Sequence, residues 1–223
     1  MKTIRSALII VWKDMIAEWR TKEMFSSMFV FILLVIVIFK FSFDLRVSNA
    51  TLLVPGILWA ALTFAGTLQL GRSSSLEVED AHVDGLLLAP VPRSSIYVGK
   101  ALGNVLFMSI TELIMLPIFS ALFNLNLFRP LILLAILLGT VGFASIGTLL
   151  STMAANSRAR EVMLPVLLFP IVLPVIIAAV KLTAGVLDGG TWQELALWVR
   201  FLIAFDVVFL VVSLMTFRFV VEG

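Results

Sequence analysis

The chain of 223 residues contains no cysteine, which excludes disulfides, thiolate metal sites and thiol nucleophiles. It contains one histidine, His82, so an imidazole cluster around a metal is excluded as well. Charge is scarce. Asp, Glu, Lys and Arg together make up 13% of the residues, against about 25% in a soluble domain. That is too little polar surface for a water-soluble globule of this size, and lipid is expected to solvate most of the chain. No Gly-x-x-x-x-Gly-Lys-Ser/Thr sequence occurs, so there is no P-loop and any ATP hydrolysis belongs to another chain. Gly71-Arg72-Ser73-Ser74-Ser75 has a glycine and hydroxyls without the lysine, and reads as a helix cap. A membrane enzyme acting on lipids needs convergent acid–base groups, which one histidine and scattered carboxylates do not supply.

What the chain has is apolar length. Hydrophobic residues make up 61% of it. Six stretches, at about 25–43, 52–70, 101–123, 131–153, 162–182 and 197–217, are each long enough to cross about 30 Å of hydrocarbon at about 1.5 Å per residue. The fifth carries Pro165, Pro170 and Pro174, each of which removes a backbone donor, so a bent or split span is expected there. The Gly-rich connector 183–196 leaves open a partly re-entrant segment. With six spans both termini share one side. That side holds Lys2, Arg5, Lys13, Arg20, Lys22, Arg72, Arg93, Lys100, Arg158, Arg160 and Arg218, eleven of the 16 basic residues. Lys40, Arg46, Arg129, Lys181 and Arg200 fall on the other. The richer side is expected to be cytoplasmic.

Ahead of the first span, Ile4, Leu8, Val11, Met15 and Trp19 recur at spacings of three or four, with Arg5, Lys13, Glu18 and Lys22 off that stripe. This predicts an amphipathic helix lying at the bilayer interface. Its apolar run, Ala7 to Trp12, is too short for a signal peptide, and Met1 is expected to be retained. The expected architecture is therefore all-α and membrane-integral: an interfacial helix over 1–24 and a six-span domain over 25–223.

The longest polar connection, from about Gly71 to Lys100, is not uniformly polar. Acids (Glu77, Glu79, Asp80, Asp84) precede a leucine group (Leu86, Leu87, Leu88), and Pro90 and Pro92 close it. Ser74 or Ser75 is expected to cap a short helix there, and a second helix is expected to start near Ser94 or Ser95 and run into the third span. A helix with acids on one side and leucines on the other suits docking in a partner's groove. The alternative, a connector resting on headgroups, is weakened because an anionic leaflet repels an acidic helix.

These residues carry a resemblance. An acid, then Asp84-Gly85-Leu86-Leu87-Leu88-Ala89-Pro90-Val91-Pro92-Arg93, then Gly99-Lys100, is similar to the coupling-helix region of ABC-2-type permeases. Pro55-Gly56-Ile57-Leu58-Trp59, Leu138-Gly139-Thr140-Val141-Gly142-Phe143, and Arg160-Glu161-Val162-Met163-Leu164-Pro165-Val166-Leu167-Leu168-Phe169-Pro170 narrow it. In that order, with six spans, the chain resembles the heme exporter protein B (CcmB) family of cytochrome c maturation permeases over essentially its whole length. The resemblance implies a non-enzymatic permease subunit in the bacterial inner membrane with both termini cytoplasmic. It implies two copies of a separate ATPase subunit holding ATP-Mg, a second copy of this chain, a heme-handling membrane protein and, indirectly, a heme chaperone. Heme is the implied transported ligand and not a resident cofactor, and nucleic acid is no partner. Glu79, Asp80, Asp84, Gly85, Leu86, Leu88, Pro90 and Arg93 would couple the ATPase. Another ABC-2-type exporter permease, or a platform that assembles a heme chaperone without transport, remain as alternatives.

Three further groups carry candidate roles. Glu112 and Asp206 are acids well inside apolar spans, where an ionised carboxylate costs at least about 2.5 kcal/mol. Helix-to-helix hydrogen bonding, or lining of a substrate route or subunit interface, are both open for them. Arg158, Arg160 and Glu161 form a short turn that is either a second ATPase contact or ordinary flanking charge. Gly139, Gly142, Ala144, Ser145 and Gly147 permit close helix approach, within the chain or at a subunit seam. His82, among acids outside the spans, lacks the apolar pocket of a heme ligand.

Overall fold

The computed structural model describes residues 2–44, 52–79, 93–155 and 159–222. Seven α-helices and no strand occur among them: α1 (Lys2–Thr21), α2 (Glu23–Asp44), α3 (Val54–Glu79), α4 (Arg93–Phe123), α5 (Pro130–Ala155), α6 (Arg160–Leu187) and α7 (Trp192–Glu222). The last six are long and apolar enough to cross a membrane. α3 and α5 form the centre of the bundle, with most of their spans buried, while α2 and α7 lie at its edge with most of their surface outward. α5 packs against α3, α4, α6 and α7.

Close approach to α5 depends on its glycines. A Cβ on Gly139 would collide with the Trp59 ring of α3, and one on Gly147 with Leu70 of α3. A Cβ on Gly142 would lie 2.6 Å from Asp206 Oδ1 of α7. These small residues seat neighbours within the chain, so Gly139, Gly142 and Gly147 act as internal packing positions.

α1 lies across the start of α4, where a Cβ on Gly99 would meet Ile10 Cβ at 2.9 Å and the Ala7 carbonyl at 3.1 Å. The buried side of α1 is Ala7, Ile10, Val11 and Glu18, while Leu8, Ile9, Trp12, Ile16 and Trp19 point outward. Leu8 and Trp19 of the expected stripe face away from the protein, whereas Val11 of the same stripe is buried with Ala7 and Ile10. The sequence pattern merged two apolar faces, one for α4 and one for the surroundings. A sharp corner follows at Lys22 (φ 55°), in the left-handed region. There the Glu18 carboxylate reaches over to accept the Phe25 N–H of α2 at 2.8 Å.

Two connections are tight turns. α6 ends with Gly189 at φ +79°, the Gly190 N–H donating to Gly185 O at 2.8 Å and the Gly189 N–H to Val186 O at 3.3 Å. This six-to-one and five-to-two pairing is the Schellman stop. Thr191 O then starts α7 by accepting from Glu194 and Leu195. The connector 183–196 is therefore two helix ends and a turn, without a re-entrant segment, because Gly189 supplies the positive φ that reverses the chain. α4 closes in the same way, with Asn124 at φ 51° and the Leu125 N–H on Ser120 O.

α6 runs unbroken through its three prolines. Pro170 and Pro174 lie on its exposed side, opposite the buried stripe Leu164, Leu168, Val172 and Val175. The missing donors of Pro170 and Pro174 fall away from the packed face, and of the bent or split span expected there the split does not occur.

α3 also departs from expectation. It passes through Ser74 and Ser75 to Glu79 without a break, so neither serine caps a new helix. No Gly or Pro lies between Arg72 and Glu79 to stop it. α4 starts at Arg93, one residue before the expected Ser94.

Candidate functional site

Polar side chains inside the bundle gather in two layers, both anchored on α5. In the first, the Thr140 hydroxyl of α5 meets both carboxylate oxygens of Glu112 of α4, at 2.7 and 2.9 Å. One hydroxyl proton is shared between the two oxygens. Glu112 is 3% exposed. Beside this pair is a cavity of about 10 Å³ bounded by Trp59, Met108 and Phe143. That is about one water sphere and far below a substrate chamber. The Trp59 indole N–H crosses from α3 to α6 and donates to Thr183 Oγ1 at 3.0 Å.

Two residues further along α5, on the side of α7, Asp206 packs over Gly142 with Val175 of α6 nearby. Asp206 is 5% exposed, and neither carboxylate oxygen has a hydrogen-bond partner among the described residues. The two intramembrane acids therefore sit at one level of the bundle with opposite treatment, Glu112 held by a donor and Asp206 by none.

The second layer lies about 12 Å along α5, eight residues on at about 1.5 Å each. The Gln69 amide of α3 donates to Asn104 Oδ1 of α4 at 3.4 Å, and the Asn104 amide donates to Thr148 Oγ1 of α5 at 2.9 Å. Three helices are joined by one amide chain. Closer to α1, the buried Tyr97 hydroxyl of α4 donates to Ser145 O of α5 at 3.0 Å, and its ring packs on Phe217 of α7. Sequence reasoning singled out none of Gln69, Asn104, Thr148, Trp59 or Tyr97 as polar links. The signal was present for Gln69 and Asn104, since an amide inside an apolar span requires a partner.

The sequence-predicted coupling residues fall at the α3–α4 junction. Glu79 is the last residue of α3 and Arg93 the first of α4. Asp80, Asp84, Gly85, Leu86, Leu88 and Pro90 lie outside the described residues, and so does His82. Arg160 and Glu161 open α6, whereas Arg158 lies outside the described residues. No group of three or more His, Cys, Asp or Glu side chains that could hold a metal occurs among the described residues.

This bundle carries a known signature along nearly all of its length. The CcmB protein family model matches residues 5–222. The chain belongs to the CcmB family. Among curated relatives, heme exporter protein B of Pseudomonas aeruginosa is 26% identical over 176 residues, 78% of this chain and 79% of that one. Heme exporter protein B of Rhodobacter capsulatus is 27% identical over 160 residues, 71% and 73% of the two chains. That of Paracoccus denitrificans is 27% identical over 172 residues, 77% and 78%. The CcmB match takes in α1 from Arg5 together with all six long apolar helices, so α1 is part of the family's unit.

Proposed function

We propose that this CcmB-family chain is the membrane permease subunit of an ABC-type heme-export system serving cytochrome c maturation. The observation that carries the reading is the family match over residues 5–222, spanning all six long apolar helices. The chain works as a pair in the inner membrane with both termini in the cytoplasm. Two copies of a separate ATPase subunit supply the energy, and a heme-handling membrane protein completes the assembly. Catalysis is not its task; it transmits motion.

In this reading the ATPase pushes on the segment between Glu79 and Arg93, with Asp80, Asp84, Gly85, Leu86, Leu88 and Pro90 as the docking element. Both ends of that segment are helix ends, so a push there reaches α3 and α4 directly. The Gln69–Asn104–Thr148 chain ties α3, α4 and α5 together, and Glu112–Thr140 adds a second tie between α4 and α5. α1, seated on Gly99, braces the start of α4 against the membrane surface. Asp206, buried without a donor, is the acid that meets the changing partner or cargo when α7 shifts on α5. Arg158, Arg160 and Glu161 form a second ATPase contact at the start of α6. Heme, or the heme-loaded chaperone it is passed to, is the substrate.

The test is copurification from native membranes followed by an ATPase assay. The expected result is recovery of a P-loop subunit whose ATP hydrolysis changes when this chain is present. Recovery of a heme chaperone with no ATPase would replace the reading with that of a passive assembly platform.

A further inference from the structure

At the end of the bundle away from α1, residues 124–129 carry the chain from α4 to α5. This corner is a preformed block. Asn124 turns the chain at φ 51°, and the Asn126 side-chain oxygen accepts the Phe128 N–H at 3.0 Å. The Arg129 carbonyl then starts α5 by accepting from Ile132 and Leu133. Leu127 is fully buried, while Asn126, Phe128 and Arg129 around it are exposed. One side-chain hydrogen bond ties the corner to another helix among the described residues: the Arg129 guanidinium donates to Val186 O in the last turn of α6. Val186 O also accepts the Gly189 N–H, and its two lone pairs serve both donors. The last carbonyls of a helix carry partial negative charge, so a guanidinium suits them. No carboxylate pairs with Arg129 among the described residues. α5 and α6 pack together along their lengths and are linked at the other end through residues 156–159. Arg129 therefore closes the open end of that hairpin, one turn beyond the Trp59–Thr183 bond.

We propose that Arg129 is a releasable latch: its bond to Val186 O keeps the α4–α5 corner seated and Leu127 covered, and its release lets the corner lift off the end of α6. Exposure is what makes the bond releasable. Water reaches the guanidinium and replaces the carbonyl at little cost, whereas the buried ties at Thr140 and Asn104 have no such substitute. The corner lifts as a unit because its other hydrogen bonds lie within itself or run to the helices it joins. In the permease reading this is the end of the bundle opposite the ATPase, but the latch does not rest on that reading.

The chain has no cysteine, so one introduced thiol reports one site. The full chain carrying Leu127→Cys is placed in lipid nanodiscs, without any ATPase, and treated with a water-soluble maleimide. Labelling is expected to be slow with Arg129 intact and about 5-fold faster with Arg129→Gln, as loss of one charge-assisted hydrogen bond raises the open population. Arg129→Lys keeps a cation at the end of α6 and is expected to label within about 2-fold of the parent. Val54→Cys, also fully buried, at the start of α3, is expected to label at the same rate in both backgrounds. Amide hydrogen exchange of the cysteine-free chain gives a second reading that needs no change at Leu127. Arg129→Gln is expected to speed exchange over residues 124–129 by a similar factor and to leave α3 unchanged. Equal rates over 124–129 with and without Arg129→Gln would overturn the latch. So would equal acceleration in α3, because the substitution would then loosen the whole bundle. Since no ATPase is present, either failure leaves the permease reading untouched.

Discussion

Replacing Thr140 by Val removes one hydroxyl from the bundle and little volume. In the structure that hydroxyl is the donor to Glu112, whose two oxygens it meets at 2.7 and 2.9 Å in a site 3% exposed. Leaving a buried acceptor without a donor costs about 1–3 kcal/mol. Interhelical hydrogen bonds in membrane proteins average about 0.6 kcal/mol and reach about 1.7, because the unfolded chain in lipid also finds partners. Glu112 belongs at the upper end of that range, since the adjoining cavity of about 10 Å³ has room for one water at most. Thr140→Val is therefore expected to cost about 1.5 kcal/mol, within the range for a buried acceptor left without its donor. Glu112→Leu removes the acceptor, and the double variant is expected to be milder than the sum of the two, with a coupling energy of about 1 kcal/mol. Reversible unfolding in mixed detergent micelles, followed by circular dichroism, measures all four corners of the cycle. A coupling below about 0.3 kcal/mol, the level at which distant sites already add, would refute the claim that this pair ties α4 to α5.

Glycine gives a paired test on α3 and α5. Gly139→Ala collides with Trp59 and is expected to lower folded yield sharply, whereas Gly56→Ala, with nothing within 4 Å, is expected to stabilise α3; its gain of about 0.5–1 kcal/mol is read in the same unfolding assay. Trp59→Phe keeps a ring but loses the 3.0 Å bond to Thr183, and a loss of about 0.5–1.5 kcal/mol is expected. Asp206→Leu is expected to raise stability by about 1 kcal/mol, since it removes a carboxyl buried without a hydrogen-bond partner among the described residues, while lowering cytochrome c maturation in cells. Unchanged maturation would remove Asp206 from the working parts.

The six spans were legible because hydrocarbon thickness sets their length and few charges interrupt them. The start of α4 beside Ser94 was legible for a local reason, the proline pair ahead of it. Register on α1 was not, because Leu8 and Trp19 and, separately, Ala7 and Ile10 answer to different surroundings, and one apolar periodicity cannot say which. The three prolines of α6 carried the right chemistry but not its direction; only packing shows that Pro170 and Pro174 face outward. Glu112 and Asp206 stood out as intramembrane acids, yet their partners Thr140 and Gly142 are distant in sequence and ordinary in type. The amide chain through Gln69 and Asn104 was overlooked because attention went to charge, although a buried amide makes the same demand for a partner.

The account depends most on energy entering at the segment between α3 and α4, and Asp84→Lys and Gly85→Trp test it most directly. Each variant is expressed in cells that lack the native chain, its membrane insertion is checked, and cytochrome c maturation is measured beside ATP hydrolysis of the purified complex. Normal insertion with maturation lost and ATP hydrolysis uncoupled from this chain is the expected result. Full maturation in both variants would contradict the account, because the ATPase would then be driving the bundle from somewhere else.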